Sequence, residues 1–516
     1  MRRREFLKRI PPVLATPLAL HGMRLQGLAG TNRLYDGLSR LGETDRVLVI
    51  IQLEGGNDGL NTVVPIEDDV YYRLRPTLAV PKGEALSLDG QELLGLNPVM
   101  EGMARLFNQG ELAVVQNIGY NQMNLSHFTG TEIWNTASGW RKEEFLDTGW
   151  VGRYLAGEYP DFPDALPDDP PAIEISPATS SIFTVVGASI AMSLTDPQEF
   201  YDLVAAGPNV GDTVDVTTLA GREWEFIDLI NRQSITFADT VRGAALKVGN
   251  QVEYPDTDFA QGLAIIARLV AGGLGTRVYK VRLGNFDTHG GQAVVHPLLL
   301  QTLSEGIGAF QDDLHKLGVA ERVVGMTYSE FGRRVQENGP GTDHGTAAPH
   351  FVFGATVDGG KVFGNVPDLV HIDQFGNLPH ELDFHCYYAS VIAPFFGIED
   401  GRLDEIFPLN LCDRNAFVPL YRASGVRQRE ASFTSLDIYP NPATSLVTLS
   451  LPETAQYGAL YRITLSDYLG RVVQEDEVRA KGDYLQLNVA DLSSGSYHLE
   501  LHAETYRGSG KIVVVR

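Results

Sequence analysis

The chain has 516 residues, of which 43% are hydrophobic, with 54 glycines and 27 prolines; this allows sizeable cores, many loops and more than one ordinary domain. A formal net charge of −24 excludes nonspecific nucleic-acid binding, which needs clustered Lys and Arg to displace counterions. No stretch reaches the roughly 18 apolar residues that a membrane span requires, and the two cysteines, Cys386 and Cys412, suit one disulfide or two free thiols equally.

The chain opens with Arg3-Arg4-Glu5-Phe6-Leu7-Lys8 and a modestly apolar stretch from Ile10 to Leu20. This resembles a twin-arginine export signal, which implies the twin-arginine translocase as a partner and passage of the folded protein out of the cytoplasm. Residues 1–45 are therefore expected to be signal and linker, with no clear Ala-x-Ala site to fix the mature start.

From Arg46 to about residue 430 the pattern is α/β. Val47–Leu53 (VLVIIQL) is a short apolar run of the kind buried on both faces, and Leu112–Ile118 is a second. A helix is predicted over Phe259–Leu274, a strand over Arg277–Leu283, a helix over His296–Leu317 and a strand over Arg322–Tyr328. In the second helix Leu303, Ile307, Phe310, Leu314 and Leu317 form one apolar stripe. Alternating strands and helices predict a mainly parallel sheet sandwiched by helices.

The unusual residues follow the strands. Glu54-Gly55-Gly56-Asn57-Asp58-Gly59 comes after the first, and Asn124-Leu125-Ser126-His127-Phe128 after the second. Asn285-Phe286-Asp287-Thr288-His289-Gly290 follows the 277–283 strand, and Ser329-Glu330-Phe331-Gly332-Arg333 follows 322–328, then Gly341-Thr342-Asp343-His344-Gly345 and His350. Ligands of open α/β sheets bind beyond the carboxyl ends of the strands, so four such loops are expected to converge. Mixed carboxylate and imidazole groups suit Zn²⁺ or Mn²⁺ better than Ca²⁺. An extended Asp287-x-His289 would aim both side chains one way, whereas Asp343-His344 must splay, as two neighbouring ions would require. Taken singly, Asp58 and Asp287 also suit turns, and Ser126 suits the N-cap of a helix around Glu132.

Together these loops, with Asp383-Phe384 and Tyr388-Ala389-Ser390-Val391, resemble the domain of unknown function 1501 family, usually placed in the alkaline phosphatase-like superfamily. The resemblance implies that Asp58, Asp343 and His344 share one divalent ion, and that Asp287 with His289 or His350 holds a second. It further implies Ser126 as nucleophile and Arg333 as a bidentate ligand of an anionic ester substrate. The spacing Asp287-x-His289 departs from that superfamily's Asp-x-x-x-His, and the sulfatase (Cys/Ser)-x-Pro-x-Arg motif is missing. No Gly-x-Ser-x-Gly elbow, complete P-loop, CxxC or HExxH occurs either. His371, His380, His385 and Asp383 read as surface or helix-capping residues.

The last segment, 437–516, changes character. Val447, Leu449 and Leu451 alternate with polar residues, as do Leu485, Leu487 and Val489, and Tyr497, Leu499 and Leu501. This predicts a small antiparallel β-sandwich. Tyr439-Pro440-Asn441-Pro442, Asp467-Tyr468-Leu469-Gly470-Arg471, Leu492-Ser493-Ser494-Gly495 and the closing Lys511–Val515 strand resemble a type IX secretion system C-terminal sorting domain. The expectation is an extracellular or cell-surface protein that meets the type IX machinery and acts as a metal-dependent hydrolase of phosphate or sulfate esters. The alternative is a non-catalytic surface binding protein on the same scaffold.

Overall fold

The computed structural model of the chain describes residues 45–186, 188–206 and 219–422. It also describes the pairs 19–20 and 23–24, and the C-terminal stretches 434–435, 438–450, 460–466, 472–479, 484–490, 492–493, 495–503 and 506–515. The twin-arginine motif, the 467–471 motif and Leu451 lie outside the described residues. The chain divides into two compact units, Met1–Tyr421 and Arg422–Arg516.

The first unit is built on a nine-stranded sheet. Its strands are β1 (Val47–Leu53), β2 (Leu112–Gly119), β3 (Ala172–Ile175), β4 (Ala191–Leu194), β5 (Val278–Leu283), β6 (Val323–Tyr328), β7 (Ala348–Phe353), β8 (Lys361–Phe363) and β9 (Leu382–Asp383). They lie in the order β4-β3-β5-β1-β6-β7-β2-β8, with β9 also paired to β2. Only β7 runs against the rest: it is antiparallel to both β6 and β2, and every other pairing in the sheet is parallel. The carboxyl ends of β1, β2, β5 and β6 therefore open on one edge, and the segment leading into β7 arrives at that same edge.

The apolar run of β1 shows why the sheet is central. Val47, Val49, Ile51 and Leu53 enter the core on one face, and Leu48 and Ile50 the core on the other. Period-2 alternation thus sends successive side chains to opposite layers, each fully buried one contributing roughly 1.5–3 kcal/mol. The first layer contains α1 (Glu101–Asn108), α4 (Leu219–Lys247), α5 (Asp258–Ala271) and α6 (Gln292–Lys316). The second contains α2 (His127–Thr136), α3 (Trp150–Glu158) and α7 (Phe384–Phe396). This is the expected mainly parallel sheet sandwiched by helices.

The stripe on α6 buries Leu303, Ile307, Phe310 and Leu314 as predicted, and the helix begins four residues before the expected start at His296. Gly291, in the left-handed region at φ 65°, turns the chain out of the preceding loop and into the helix. Cys386 on α7 is disulfide-bonded to Cys412, with a Cα–Cα separation of 4.9 Å. Among the described residues no helix is long and apolar enough to cross a membrane.

The second unit holds two sheets, antiparallel except where Thr434–Ser435 pairs parallel with Tyr506–Val514. Leu460–Ser466 pairs with Val472–Arg479 and Gly495–Ala503, which pairs in turn with Tyr506–Val514. Leu446–Ser450 lies between Ile438–Tyr439 and Tyr484–Asn488. Val447, Leu449, Leu485, Leu487, Val489, Tyr497 and Leu499 are buried in one cluster, the alternation read from the sequence.

Candidate metal centre

The four loops meet, and the lacing that holds them is backbone-rich. Gly55 N–H donates to Glu330 Oε1 at 2.8 Å, and Asn57 N–H to Ser329 Oγ at 3.0 Å, joining the loops after β1 and β6. Gly55 has φ 119°, and a Cβ there would collide with the backbone of Phe286 and Asp287, so only glycine lets the β1 and β5 loops touch. Gly345 N–H donates to Gly332 O at 2.9 Å and Gly332 N–H to Thr346 O at 2.6 Å, a short antiparallel ladder that sets His344 opposite Arg333.

On this base three imidazoles and one carboxylate converge. His344 Nε2 lies 3.1 Å from Asp287 Oδ1, His289 Nε2 lies 3.2 Å from the same oxygen, and His127 Nε2 lies 3.4 Å from Asp287 Oδ2. His289 Nε2 and His344 Nε2 are 2.9 Å apart. His127, Asp287 and His344 each present a ligand atom within 4.8 Å of the others, a grouping able to hold an ion.

The distal nitrogens of His344 and His127 fix the tautomers of those two rings. His344 Nδ1 is 2.8 Å from Leu125 O, and a carbonyl only accepts, so Nδ1 carries the proton. His127 Nδ1 is 2.9 Å from Glu330 Oε1, and His289 Nδ1 is 3.5 Å from Asp343 Oδ1. A neutral imidazole protonated at Nδ1 bears its lone pair on Nε2, the atom that faces Asp287. Backing of ligand histidines by a carbonyl or carboxylate is what metal sites use to aim and strengthen them.

The electrostatics suit a cation. Burial works against the Asp287 charge, but the hydrogen bond from Arg333 and the Arg333 charge lead the effects that outweigh it and bring the carboxyl down to about 2. Burial lowers His344, keeping it neutral and able to bind. Burial also raises Glu330, whose Oε2 has no hydrogen-bond partner among the described residues.

The remaining predicted site residues lie around this group. Asp343 stands one layer out: Oδ1 accepts from Asn338 Nδ2 at 2.7 Å and faces His289 Nδ1, so Asp343 and His344 do splay, one behind a histidine and one inward. Ser126 is exposed at the N-cap of α2, beside His127, and its hydroxyl does not cap the helix.

Asp58 is fully buried and outside the group. Arg75 Nη1 donates to its Oδ2 at 2.6 Å, and Gln292 Nε2 donates to the same oxygen. Burial raises its pKa, and Arg75 reverses this to leave it below the ordinary carboxylate value. Since Gln292 Oε1 accepts from Thr342 Oγ1 at 2.7 Å, Asp58 ties the β1 loop to the residue before Asp343.

His350 lies inside β7, with its ring against Trp134 and Tyr387 and both nitrogens without partners among the described residues. Arg333 is buried and spent on the scaffold. Its Nε donates to Gly56 O, Nη1 to Thr342 O, and Nη2 to Gly55 O, Phe286 O and Asp287 Oδ1. With its side chain fully buried, the guanidinium is not open to the ester anion that the resemblance implied for it.

Two members of the centre were quoted in the sequence motifs without being assigned to it, His127 and Glu330. Their signal was position alone: Glu330 is two residues and His127 eight residues beyond a strand's carboxyl end. Of the histidines near α7, His385 is buried rather than at the surface, with Nδ1 2.6 Å from Asp383 Oδ1, while Asp383 caps α7 as expected.

Residues 235–378 match the family model described as protein of unknown function (DUF1501), and residues 437–515 match the secretion system C-terminal sorting domain. The chain carries a DUF1501 region and a secretion tail. The DUF1501 region holds Asp287, His289, Glu330, Arg333, Asp343 and His344, while His127 comes from outside it. The tail marks a secreted or cell-surface protein handled by the type IX machinery.

No curated protein matches the chain. Solved structures similar to it include the lipoteichoic acid synthase LtaP from Listeria monocytogenes, 9% identical over 84% of this chain and 87% of that one, TM-score 0.32. The PsFucS1 sulfatase from Pseudoalteromonas sp. is 9% identical over 89% of this chain and 86% of its own, TM-score 0.32. A protein in the alkaline phosphatase superfamily from Vibrio parahaemolyticus is 10% identical over 63% of this chain and 64% of its own, TM-score 0.30. At these scores the likenesses assign no activity to the DUF1501 region.

Proposed function

We propose that the protein is a metal-dependent hydrolase of phosphate or sulfate esters that works outside the cell. The observation that carries the reading is the convergence of Nε2 of His127, His289 and His344 on the Asp287 carboxylate, with Nδ1 of each directed at an oxygen. Lone pairs that face one another repel unless a proton or a metal cation lies among them, and the donor set fits one divalent ion. Imidazole with carboxylate favours Zn²⁺ or Mn²⁺. When bound, such an ion supplies Lewis-acid stabilisation to a phosphoryl or sulfuryl oxygen.

The chain's own residues take the other roles. Asp287, His127, His289 and His344 are the proposed ligands; Glu330 and Asp343 orient two of them. Ser126 is the proposed nucleophile, exposed one residue from His127 at the amino end of α2, where the helix dipole favours negative charge. Arg333, Asp58 and Arg75 position the loops. The resemblance to the alkaline phosphatase-like superfamily, noted from the motifs, supports the hydrolase reading and Ser126 as nucleophile, while the proposed ligand set replaces Asp58, Asp343 and His350 with His127.

The test is a panel of phosphate monoesters, phosphate diesters and sulfate esters, run on protein loaded with Zn²⁺ or Mn²⁺ and on the same protein stripped by chelator. Turnover that needs the metal and falls by about 10³-fold or more in Ser126→Ala is the expected result. Loaded protein that hydrolyses no member of the panel would leave a non-catalytic binding protein.

A further inference from the structure

We propose that the cavity beside this centre binds a neutral sugar ring, which would be the organic part of the ester; the link to an ester rests on the hydrolase reading, the sugar binding does not. The cavity encloses about 630 Å³, within the usual range for small-molecule sites. One wall is formed by residues 120–125, beyond β2, and the other by residues 371–380.

The cavity adjoins the centre through Leu125. This residue lines the cavity, and its carbonyl accepts the proton on His344 Nδ1 at 2.8 Å. Thr346, two residues beyond His344, lines it as well, and Ser126 follows Leu125 directly. A group seated in the cavity thus lies next to the proposed ligands and nucleophile.

Charge sets the first limit on the ligand. The described lining has no Lys or Arg; of its two histidines, His371 is paired with Asp368 Oδ2 at 2.7 Å and burial lowers the pKa of His380, and its one carboxylate is already used. Asp373 Oδ1 accepts from Phe375 N–H at 2.8 Å and Asn377 N–H at 2.9 Å, and Oδ2 accepts from Asn377 Nδ2 at 2.9 Å. A lining without a free cation cannot compensate an anion, so the charged ester group belongs at the metal centre and the neutral remainder in the cavity.

Shape and polarity set the second. Asp373 and Gly376, whose carbonyl accepts from Val335 N–H at 3.0 Å, fix a turn that holds Phe375 60% exposed at the cavity. The planar amides of Asn121, Gln122 and Asn377 line the same cavity. Asn377 is only 7% exposed, its Nδ2 held by Asp373 and its Oδ1 buried, so the exposed Asn121 and Gln122 are the amides open to a ligand. A pyranose has a C–H face to lay on the phenyl ring and hydroxyls at its edge for the amides. A plain aryl or alkyl group would cover Phe375 but leave the amides unpaired, which costs affinity.

The experiment is saturation-transfer NMR on the full chain with neutral methyl glycosides of glucose, galactose, mannose, fucose and N-acetylglucosamine, against phenol and cyclohexanol. At least one glycoside is expected to bind more tightly than both controls, to bind equally after chelation, and to weaken about 10-fold in Phe375→Ala but not in Phe375→Trp. Failure of every glycoside to bind, tighter binding of a control, or unchanged affinity in Phe375→Ala would overturn the proposal. Glycoside binding by a chain that hydrolyses no ester would keep this site and remove the hydrolase reading; ester hydrolysis without glycoside binding would do the reverse.

Discussion

His344 donates its Nδ1 proton to the carbonyl of Leu125, 2.8 Å away, and thereby turns a lone pair on Nε2 toward Asp287. One hydrogen bond between two strand-end loops both orients the ring and selects its tautomer. The same logic applies to His127 against Glu330. Most consequences of the metal-centre reading follow from these pairs.

Changes to the pairs should register as metal affinity before they register as stability. Asp287→Asn and His344→Ala are each expected to abolish stoichiometric Zn²⁺ binding. Glu330→Gln, which leaves His127 in place but weakens its backing, is expected to loosen binding by about 10- to 100-fold. Competition with a chromogenic chelator measures both, and wild-type affinity in Asp287→Asn would remove that residue from the centre.

Arg333 should behave as a structural residue. Its guanidinium joins Gly55, Gly56, Phe286, Asp287 and Thr342, so Arg333→Met strands buried acceptors from three loops. Each buried acceptor left without a partner costs about 1–3 kcal/mol, and a loss of several kcal/mol is expected in denaturant unfolding. A variant as stable as wild type with only a raised KM would restore the substrate-binding role.

Acid should destabilise the first unit through His350 well before the carboxylates protonate. Burial depresses this histidine from 6.5 to about 3, so the unfolded chain takes up the proton first. Its contribution is complete above 6.5 and is lost as pH falls toward 3, at up to about 1.4 kcal/mol per pH unit. His350→Phe should flatten that part of the stability-pH profile and leave metal content unchanged. Asp58 acts lower: its folded pKa is depressed below 3.8, so what it contributes is present above that value and is lost only as pH falls through the folded one.

The Cys386–Cys412 bridge closes a loop with a sequence separation of 26. On a chain-entropy account its reduction should lower unfolding free energy by about 3.5 kcal/mol. Unfolding curves with and without reductant check this, and superimposable curves would mean the bridge adds nothing.

Much of the sheet was legible because strands buried on both faces are written as unbroken apolar runs: VLVIIQL is β1 from end to end. The α6 stripe and the alternating C-terminal strands were readable for the same reason, a period that matches their burial. The short strands β3 and β4 and the reversed β7 were not predicted, since Ala172–Ile175 and Ala191–Leu194 are too brief for a period and direction leaves no mark on composition. At the site, position along the chain located the loops but could not say which way a side chain points. Asp58 and His350 look like ligands in sequence, yet one is held by Arg75 and the other packed between aromatic rings. Arg333 has the residue type of an anion clamp, and only its five contacts reveal that it is occupied. His127, a ligand in the proposed centre, was passed over beside the more familiar serine.

The most direct test of the centre is anomalous scattering at the zinc or manganese edge from crystals of the metal-loaded chain. A single peak within bonding distance of Nε2 of His127 and His344 and of the Asp287 carboxylate is the expected result. A peak at Asp58 or His350 instead, or fully loaded protein with none at Asp287, would contradict it.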